Sequence, residues 1–176
     1  MRALPLPEPA LADPRTGVVL RPWGAGGDAE VAAHTRVPAD ARVDAARTWI
    51  AAEPRRRARG LALDLAVAPA DDPDAVLGEV GLAHLDPDGR AELGFWLAPQ
   101  ARGRGLATSA VRLLTAWALH AAGPSRRCGL SLRQLWARTT PGDPRAAGVL
   151  GRAGYRLRGE AAGSAVWAIG AASLRP

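Results

Sequence analysis

The stretch of residues 91–122, AELGFWLAPQARGRGLATSAVRLLTAWALHAA, decides the fold of this chain. It begins with a short apolar and aromatic run, and Pro99 follows that run, which is typical of a strand and its end. From Leu106 onwards, apolar side chains recur with helical spacing as far as Ala121. The stretch therefore predicts a strand, a glycine-rich loop and a long helix in direct succession, with the helix beginning near Gly105.

The loop between the predicted strand and helix, QARGRG at residues 100–105, is suited to binding an anion. Gly103 and Gly105 permit backbone torsions and a close approach that a β-carbon would prevent. A helix start has unpaired N–H groups and a positive dipole end, and Arg102 and Arg104 add charge, so a pyrophosphate fits the site. The loop lacks the third glycine of a dinucleotide fingerprint and the lysine of a P-loop, which excludes those two nucleotide sites.

QARGRG followed by LA resembles the Q/R-x-x-G-x-G/A acetyl-CoA signature of the GNAT superfamily of N-acetyltransferases. The longer stretch LGFWLAPQARGRGLATSAVRLL resembles the branch that contains the ribosomal-protein N-terminal acetyltransferases. The resemblance implies an α+β fold of the α/β sandwich type, in which helices flank a central, mostly antiparallel mixed sheet. It also implies acetyl-CoA as cosubstrate, no metal, and two splayed strands that form the acetyl-CoA cleft.

In this family the pantetheine arm of coenzyme A enters between the splayed strands and pairs with free backbone groups, much as an added strand would. The resemblance assigns that contact to Phe95, Trp96 and Leu97. The other candidate cofactor-binding residues of this stretch lie in the loop and the helix start, and they are Gln100, Arg102, Gly103, Arg104, Gly105, Leu106 and Ala107.

The segment DPRAAGVLGRAGY, residues 143–155, resembles the second motif of the family, N-P-x-S-x-x-V-L-x-K-x-G-F. Asp143 replaces the Asn that caps the helix and touches the cofactor; it can still cap and accept hydrogen bonds. Ala146 replaces the Ser proposed to protonate the leaving thiolate. Leu150 holds the position of the Tyr that other branches use, and Tyr155 is predicted to be a core residue. The sequence therefore assigns no residue as the general acid.

Two glutamates in the predicted central strands are candidates for the catalytic base. Glu79 and Glu92 have apolar neighbours in the sequence, where a carboxylate is costly unless it is paired, hydrated or used. A protonated amine must lose a proton before it attacks a thioester, so a nearby carboxylate would assist. The family's base often comes from these strands, which favours Glu79; Glu92 could instead be a paired strand carboxylate.

Hydrophobic patterning predicts the remaining elements. Two helices are predicted, from Asp28 through His34 and at residues 39–52. The family resemblance implies that they cover the acceptor side of the sheet, and it makes His34 a secondary acceptor-site candidate. Strands are predicted at residues 16–23, 61–68, 75–85, 90–97, 132–139 and 164–169. Residues 1–14 are predicted to be a disordered or extended tail, and residues 15–176 a single acetyltransferase domain.

Composition limits the cellular setting and the partners. The only cysteine is Cys128, which excludes an internal disulfide and a cysteine metal cluster, and the sequence contains neither a bilayer-spanning apolar run nor a secretory signal. We therefore expect a cytoplasmic protein without a membrane partner.

The net charge of +6 comes from arginine alone, and it would attract either nucleic acid or coenzyme A. The densest basic run, residues 55–59, has no interleaved aromatic residues and is interpreted as a solvated helix end rather than a nucleic-acid patch.

The sequence leaves the acceptor open. Direct acetyl transfer to a primary amine is predicted, and the overall pattern favours a protein or peptide N-terminus. Ser109 stands where ribosomal-type relatives carry Glu, and Ala146 also departs from that branch. A small-molecule amine, such as an antibiotic or a metabolite, and a non-catalytic acyl-CoA-binding domain are therefore kept as alternatives. Whether the protein forms a homodimer also stays open.

Overall fold

The computed structural model describes residues 3–24, 42–120 and 129–174. Three α-helices lie within these ranges: α1 Arg42–Ala58, α2 Leu106–Leu119 and α3 Pro144–Arg152. The strands are β1 Leu11–Asp13, β2 Val18–Pro22, β3 Ala62–Pro69, β4 Gly78–Ala83, β5 Arg90–Leu97, β6 Gln134–Thr139, β7 Arg156–Ala161 and β8 Ser164–Gly170. In this part of the chain the strands form one sheet in the order β1-β2-β3-β4-β5-β6-β8-β7.

The sheet is mostly antiparallel, and its single parallel contact among the described strands joins β5 to β6. That contact requires a crossover, which α2 provides, since a tight turn cannot join parallel strands. The predicted α+β architecture, a mixed sheet flanked by helices, is confirmed. The predicted strand at residues 90–97 matches β5 in full, whereas the strand predicted at residues 75–85 is shorter and spans only Gly78–Ala83.

The alternation of side chains along the strands makes the two faces of the sheet different. Leu63, Leu82 and Leu93 lie side by side on β3, β4 and β5 and are buried in the main core, to which α2 contributes its apolar side. We call this side the α2 face. Glu79 and Trp96 are also cross-strand neighbours, but each is three residues from the leucine row and therefore points to the opposite side.

Helix α1 lies on that opposite side, the α1 face, where the Arg56 guanidinium pairs with the carboxylate of Asp64 on β3 at 2.9 Å. The predicted end of this helix at residue 52 is wrong, because α1 passes through Pro54 and continues to Ala58. Proline removes one helical hydrogen bond, but ion pairs anchor the last turns: besides the Arg56 pair, Arg57 contacts Glu53 at 3.2 Å. Two arginines of the basic run at residues 55–59 thus form ion pairs within the fold.

The N-terminal segment is packed against the domain. Leu4 is buried in the main core, and β1 extends the sheet beyond β2. The predicted helix from Asp28 through His34 lies outside the described residues. No helix in the described ranges is both long and apolar enough to span a membrane.

Candidate active site

The loop between β5 and α2 has the geometry of an anion site. After Leu97 the chain makes one 3-10 turn, Pro99–Ala101, and then passes through Gly103 and Gly105. Both glycines have φ of +78°, in the left-handed region that other residues rarely adopt. Gly105 immediately precedes α2, and its first turn has no capping side chain among the described residues. The first N–H groups of α2 are therefore available to a ligand.

Strands β5 and β6 form a cleft because they pair over only three positions. The pairs run from Arg90 opposite Gln134 to Glu92 opposite Trp136, and no pairing continues along residues 93–97 of β5. The predicted splay is therefore present, with its apex at Glu92. A cleft of about 840 Å³ lies between the end of β5, the start of α2 and helix α3. Among the described residues, 93–97 of β5 have no strand paired to their β6-facing edge, so the backbone groups of that edge face the cleft rather than a neighbouring strand.

Most of the residues predicted to bind the cofactor line this cleft. They are Phe95, Trp96, Leu97, Arg102, Gly103, Gly105, Ala107 and Asp143. Gln100 and Arg104 are exposed and do not line it. The Leu106 side chain is buried in the core, so this residue can offer a ligand only its backbone.

Helix α3 contributes four cleft residues, of which the sequence analysis considered only Ala146 and missed the other three. Arg145, Ala146, Val149 and Arg152 line the cleft, with the spacing of one helix face. That periodicity is visible in the sequence and could have identified the two arginines. Asp143 caps α3, since its carboxylate accepts hydrogen bonds from the N–H groups of Arg145 and Ala146, which confirms the predicted capping role.

The charge distribution of the cleft favours a polyanion. Three arginines line it, against the single carboxylate of Asp143, which is engaged by the helix start. Arg102 is folded back, and its Nε donates to the carbonyl oxygen of Leu97 at 2.9 Å. A phosphorylated ligand would therefore meet guanidinium groups on two sides, from the loop and from α3.

Thr108 is a further residue of the cleft that the sequence analysis did not select. It lies in the first turn of α2, lines the cleft and is 7% exposed. Its hydroxyl oxygen is buried and has no hydrogen-bond partner among the described residues. A buried hydroxyl without a partner costs about 1–3 kcal/mol, so this side chain suits a site where a ligand supplies the partner.

The two candidate bases have different surroundings on the α1 face. Glu79 is 1% exposed and accepts a hydrogen bond from the Trp96 indole at 3.2 Å. Trp96 in turn stacks on Trp23, which meets Trp49 of α1 edge to face. The Glu79 carboxylate thus lies beneath an aromatic cluster, and solvent does not reach it directly.

Glu92 lies at the apex of the splay in a cluster of charged and aromatic side chains. Its two carboxylate oxygens accept from Nε and an Nη of Arg138 at 3.0 and 3.1 Å, and the pairing raises the pKa of Arg138. One oxygen also lies 2.6 Å from Nδ1 of His84. The paired role that the sequence left open for Glu92 is therefore observed, and its partners are far apart in sequence.

Neither Tyr155 nor Ser109 is placed to act as a general acid. The Tyr155 hydroxyl lies 2.9 Å from that of Thr115 inside the core, and burial raises the pKa of Tyr155, so its predicted core role is confirmed. Ser109 is also occupied, because its hydroxyl donates to Asp13 at 2.7 Å and accepts from Thr16. Ser109 lines a separate cavity of about 690 Å³ behind α2.

Comparison with known proteins defines the class. Residues 18–156 match the model of the acetyltransferase (GNAT) domain family. The sequence has no match among the curated proteins. The chain therefore belongs to the GNAT family, and it is an acetyltransferase by class.

Solved structures with low sequence identity share the fold. RimJ of Mycobacterium smegmatis, solved with CoA-disulfide, is 20% identical with a TM-score of 0.74; the alignment covers 95% of this chain and 88% of RimJ. A putative ribosomal-protein-serine acetyltransferase from Vibrio cholerae is 17% identical with a TM-score of 0.70, and 94% and 99% of the two chains are covered. The microcin C7 self-immunity acetyltransferase MccE, solved with acetyl-CoA and AMP, is 15% identical with a TM-score of 0.69, covering 88% and 92%.

Proposed function

We propose that this protein binds acetyl-CoA in the cleft between β5, α2 and α3 and transfers the acetyl group directly to a primary amine, with a protein or peptide N-terminus as the first candidate. The observation that carries the proposal is the coincidence of an uncapped helix start with a splayed strand. The first suits a pyrophosphate and the second an extended amide-containing arm. Both belong to one cleft of about 840 Å³.

The residues present fit acetyl-CoA as a substrate. The N–H groups that follow Gly105 would hold the pyrophosphate, with Arg102 beside them, and the backbone of β5 beyond Glu92 would pair with the pantetheine amides. Arg145 and Arg152 of α3 would add positive charge along the same wall. The buried hydroxyl of Thr108 would gain a partner. Acetyl-CoA supplies the activated acyl group, and the chain positions it.

Direct transfer requires that the acceptor amine lie near the apex of the splay in its unprotonated form. Glu79, the base predicted from sequence, and Glu92 both lie on the α1 face, which α2 does not cover. In this proposal the acceptor approaches from this side, beside Glu92, while the cofactor occupies the cleft. The departures at Ser109 and Ala146 remain the reason to keep a small-molecule amine as the second candidate.

A thiol-release assay with acetyl-CoA and a panel of amines tests the proposal. The panel contains peptides with free N-termini, aminoglycosides and polyamines. We expect turnover with peptides that persists when the peptide is lengthened and falls when its first residue is changed. Turnover with aminoglycosides alone would replace the N-terminus assignment with a small-molecule one. Binding of acetyl-CoA without turnover of any amine would support a non-catalytic domain.

A further inference from the structure

We propose that His84, held in place by Glu92, is the group that accepts the proton from the acceptor amine. This assignment rests on the proposed function, because it concerns the same acetyl transfer. It differs from the sequence-based expectation, in which a glutamate acts on the amine itself. The argument has four parts: the geometry of a side-chain cluster, its position, its access to solvent and the chemistry of imidazole.

The cluster joins three strands at one point of the sheet. His84 follows the end of β4, Glu92 lies on β5, and Trp136 and Arg138 lie on β6. The His84 ring stacks on Trp136 with a centroid distance of 6.5 Å and an interplanar angle of 13°. Its Nδ1 lies 2.6 Å from Glu92, which Arg138 holds through two further hydrogen bonds. The imidazole is thus fixed on one face and at one ring nitrogen.

The position of the cluster matches the expected end of the pantetheine arm. From phosphate to sulfur the arm contains about twelve bonds, the length of about four residues of extended backbone. An arm that leaves the start of α2 and follows β5 back from Leu97 therefore ends beside Leu93. The next residue is Glu92, the last residue of β5 that pairs with β6. The thioester would lie next to the cluster.

Access distinguishes His84 from Glu79. The side chain of His84 is 67% exposed, whereas Glu79 is 1% exposed beneath the tryptophans. An amine on the α1 face can reach the imidazole without rearrangement of the core. His84 also has φ of +50°, an uncommon backbone conformation for a residue with a side chain, and such residues cluster at functional sites.

The hydrogen bond to Glu92 prepares the imidazole for this role. A carboxylate accepts from an N–H, so Nδ1 is the donor and Nε2 keeps the lone pair that can take a proton. Among the described residues, the charged groups of the cluster are Glu92 from β5 and Arg138 from β6. Because both oxygens of the Glu92 carboxylate already accept hydrogen bonds from Arg138, the carboxylate is placed to orient the ring rather than to meet the acceptor amine.

The proton balance of the reaction is as follows. His84 Nε2 takes one proton from the acceptor ammonium, which frees the nitrogen lone pair. The nitrogen forms a bond to the acetyl carbonyl carbon, and the bond between that carbon and sulfur breaks. The nitrogen gives up a second proton and the thiolate gains one. An ammonium and acetyl-CoA thus yield the amide, the CoA thiol and one proton, which His84 releases to solvent.

Nitrogen NMR of the full-length protein tests the geometry without turnover. The chain has three histidines, and His84→Gln and His120→Gln variants assign two of the imidazoles. We expect the neutral His84 ring to carry its proton at Nδ1, to change to the Nε2–H tautomer in Glu92→Ala, and to be partly restored in Glu92→Gln. Addition of acetyl-CoA should shift the His84 signals and leave those of His120 in place. A neutral His84 with its proton at Nε2, or His84 signals that acetyl-CoA does not shift, would overturn the proposal.

Kinetics with a peptide acceptor give the second test. We expect His84→Gln to lower kcat about a hundredfold near neutral pH, with recovery at alkaline pH where the amine loses its own proton, and with an unchanged KM for acetyl-CoA. His120→Gln, an exposed histidine at the other end of α2, is the matched control and should retain full activity. Equal pH profiles for His84→Gln and the unmodified protein would refute the assignment. If the unmodified protein acetylates no amine in the panel, the proposed function fails, and the NMR result still decides whether His84 and Glu92 form the oriented pair.

Discussion

The proposed cofactor side of the splay, at residues 100–108, and the proposed acceptor side, around Glu92, are built on different principles. On the cofactor side, residues 100–108 form a contiguous loop and helix start, and the ligand would meet mainly backbone N–H groups. On the proposed acceptor side, Glu79, Glu92 and Arg138 come from three strands and His84 follows the end of β4, so a ligand would meet side chains. We therefore expect the backbone site to tolerate changes of side chain but not of backbone conformation, and the side-chain site to have the opposite sensitivity.

The largest effect should come from a change of backbone on the cofactor side. We expect Gly105→Val to weaken acetyl-CoA binding at least a hundredfold, because a β-branched residue is strained at φ of +78° and would obstruct the amides. Isothermal titration calorimetry measures the affinity. Gly163→Val, at φ of +72° and outside the cleft, is a control with similar strain and should bind normally. Unchanged affinity in Gly105→Val would contradict the assignment of the phosphate site to this loop.

A smaller effect should come from Glu79 on the acceptor side. If its role is to hold Trp96 through the indole hydrogen bond, Glu79→Gln should lower kcat by about tenfold or less, without alkaline recovery. The pH profile of kcat measures this difference from His84→Gln. Recovery of activity at alkaline pH would instead support Glu79 as the base, which remains a prediction from the sequence.

A still smaller effect on the cofactor side should come from Thr108. We expect Thr108→Val to weaken CoA binding about fivefold to tenfold, the value of one hydrogen bond, while the ligand-free protein stays equally stable or becomes more stable. Calorimetry and urea unfolding measure the two quantities. Thr108→Ser keeps the hydroxyl and should bind normally. Lower stability together with unchanged affinity in Thr108→Val would show a purely structural role.

The smallest functional effect should come from Tyr155, which lies in the core and touches neither side. Tyr155→Phe should lower the free energy of unfolding by about 1 kcal/mol through the lost hydrogen bond to Thr115, and leave CoA affinity unchanged. Because burial raises the pKa of Tyr155, its contribution to stability is present below about pH 10, the ordinary tyrosine value, and is lost as the pH rises above it. Urea unfolding near pH 8 and pH 10.5 should show a smaller alkaline loss in Tyr155→Phe.

The cofactor side could largely be predicted from the sequence. Strand, glycine loop and helix follow one another within residues 91–122, so their order and their spacing are visible directly. Helix α1 was predicted too short, since Pro54 is a strong local signal against a helix. Contacts of Arg56 with β3 and of Arg57 with Glu53 outweigh that signal in the folded chain. A local pattern cannot show those partners.

The side-chain cluster on the proposed acceptor side could not be predicted from the sequence, because its partners are also distant in the chain. The pairing of β5 with β6 places Trp136 opposite Glu92, and Arg138 reaches a carboxylate 46 positions earlier in the chain. Only strand register decides which of the two glutamates is buried beneath tryptophans and which lies at the apex beside His84. The sequence by itself determined the class of fold and the strand-loop-helix geometry on which the proposed anion site rests, because both follow from adjacent residues. The tertiary structure alone decided the side-chain cluster, because register and splay join residues that no local pattern connects.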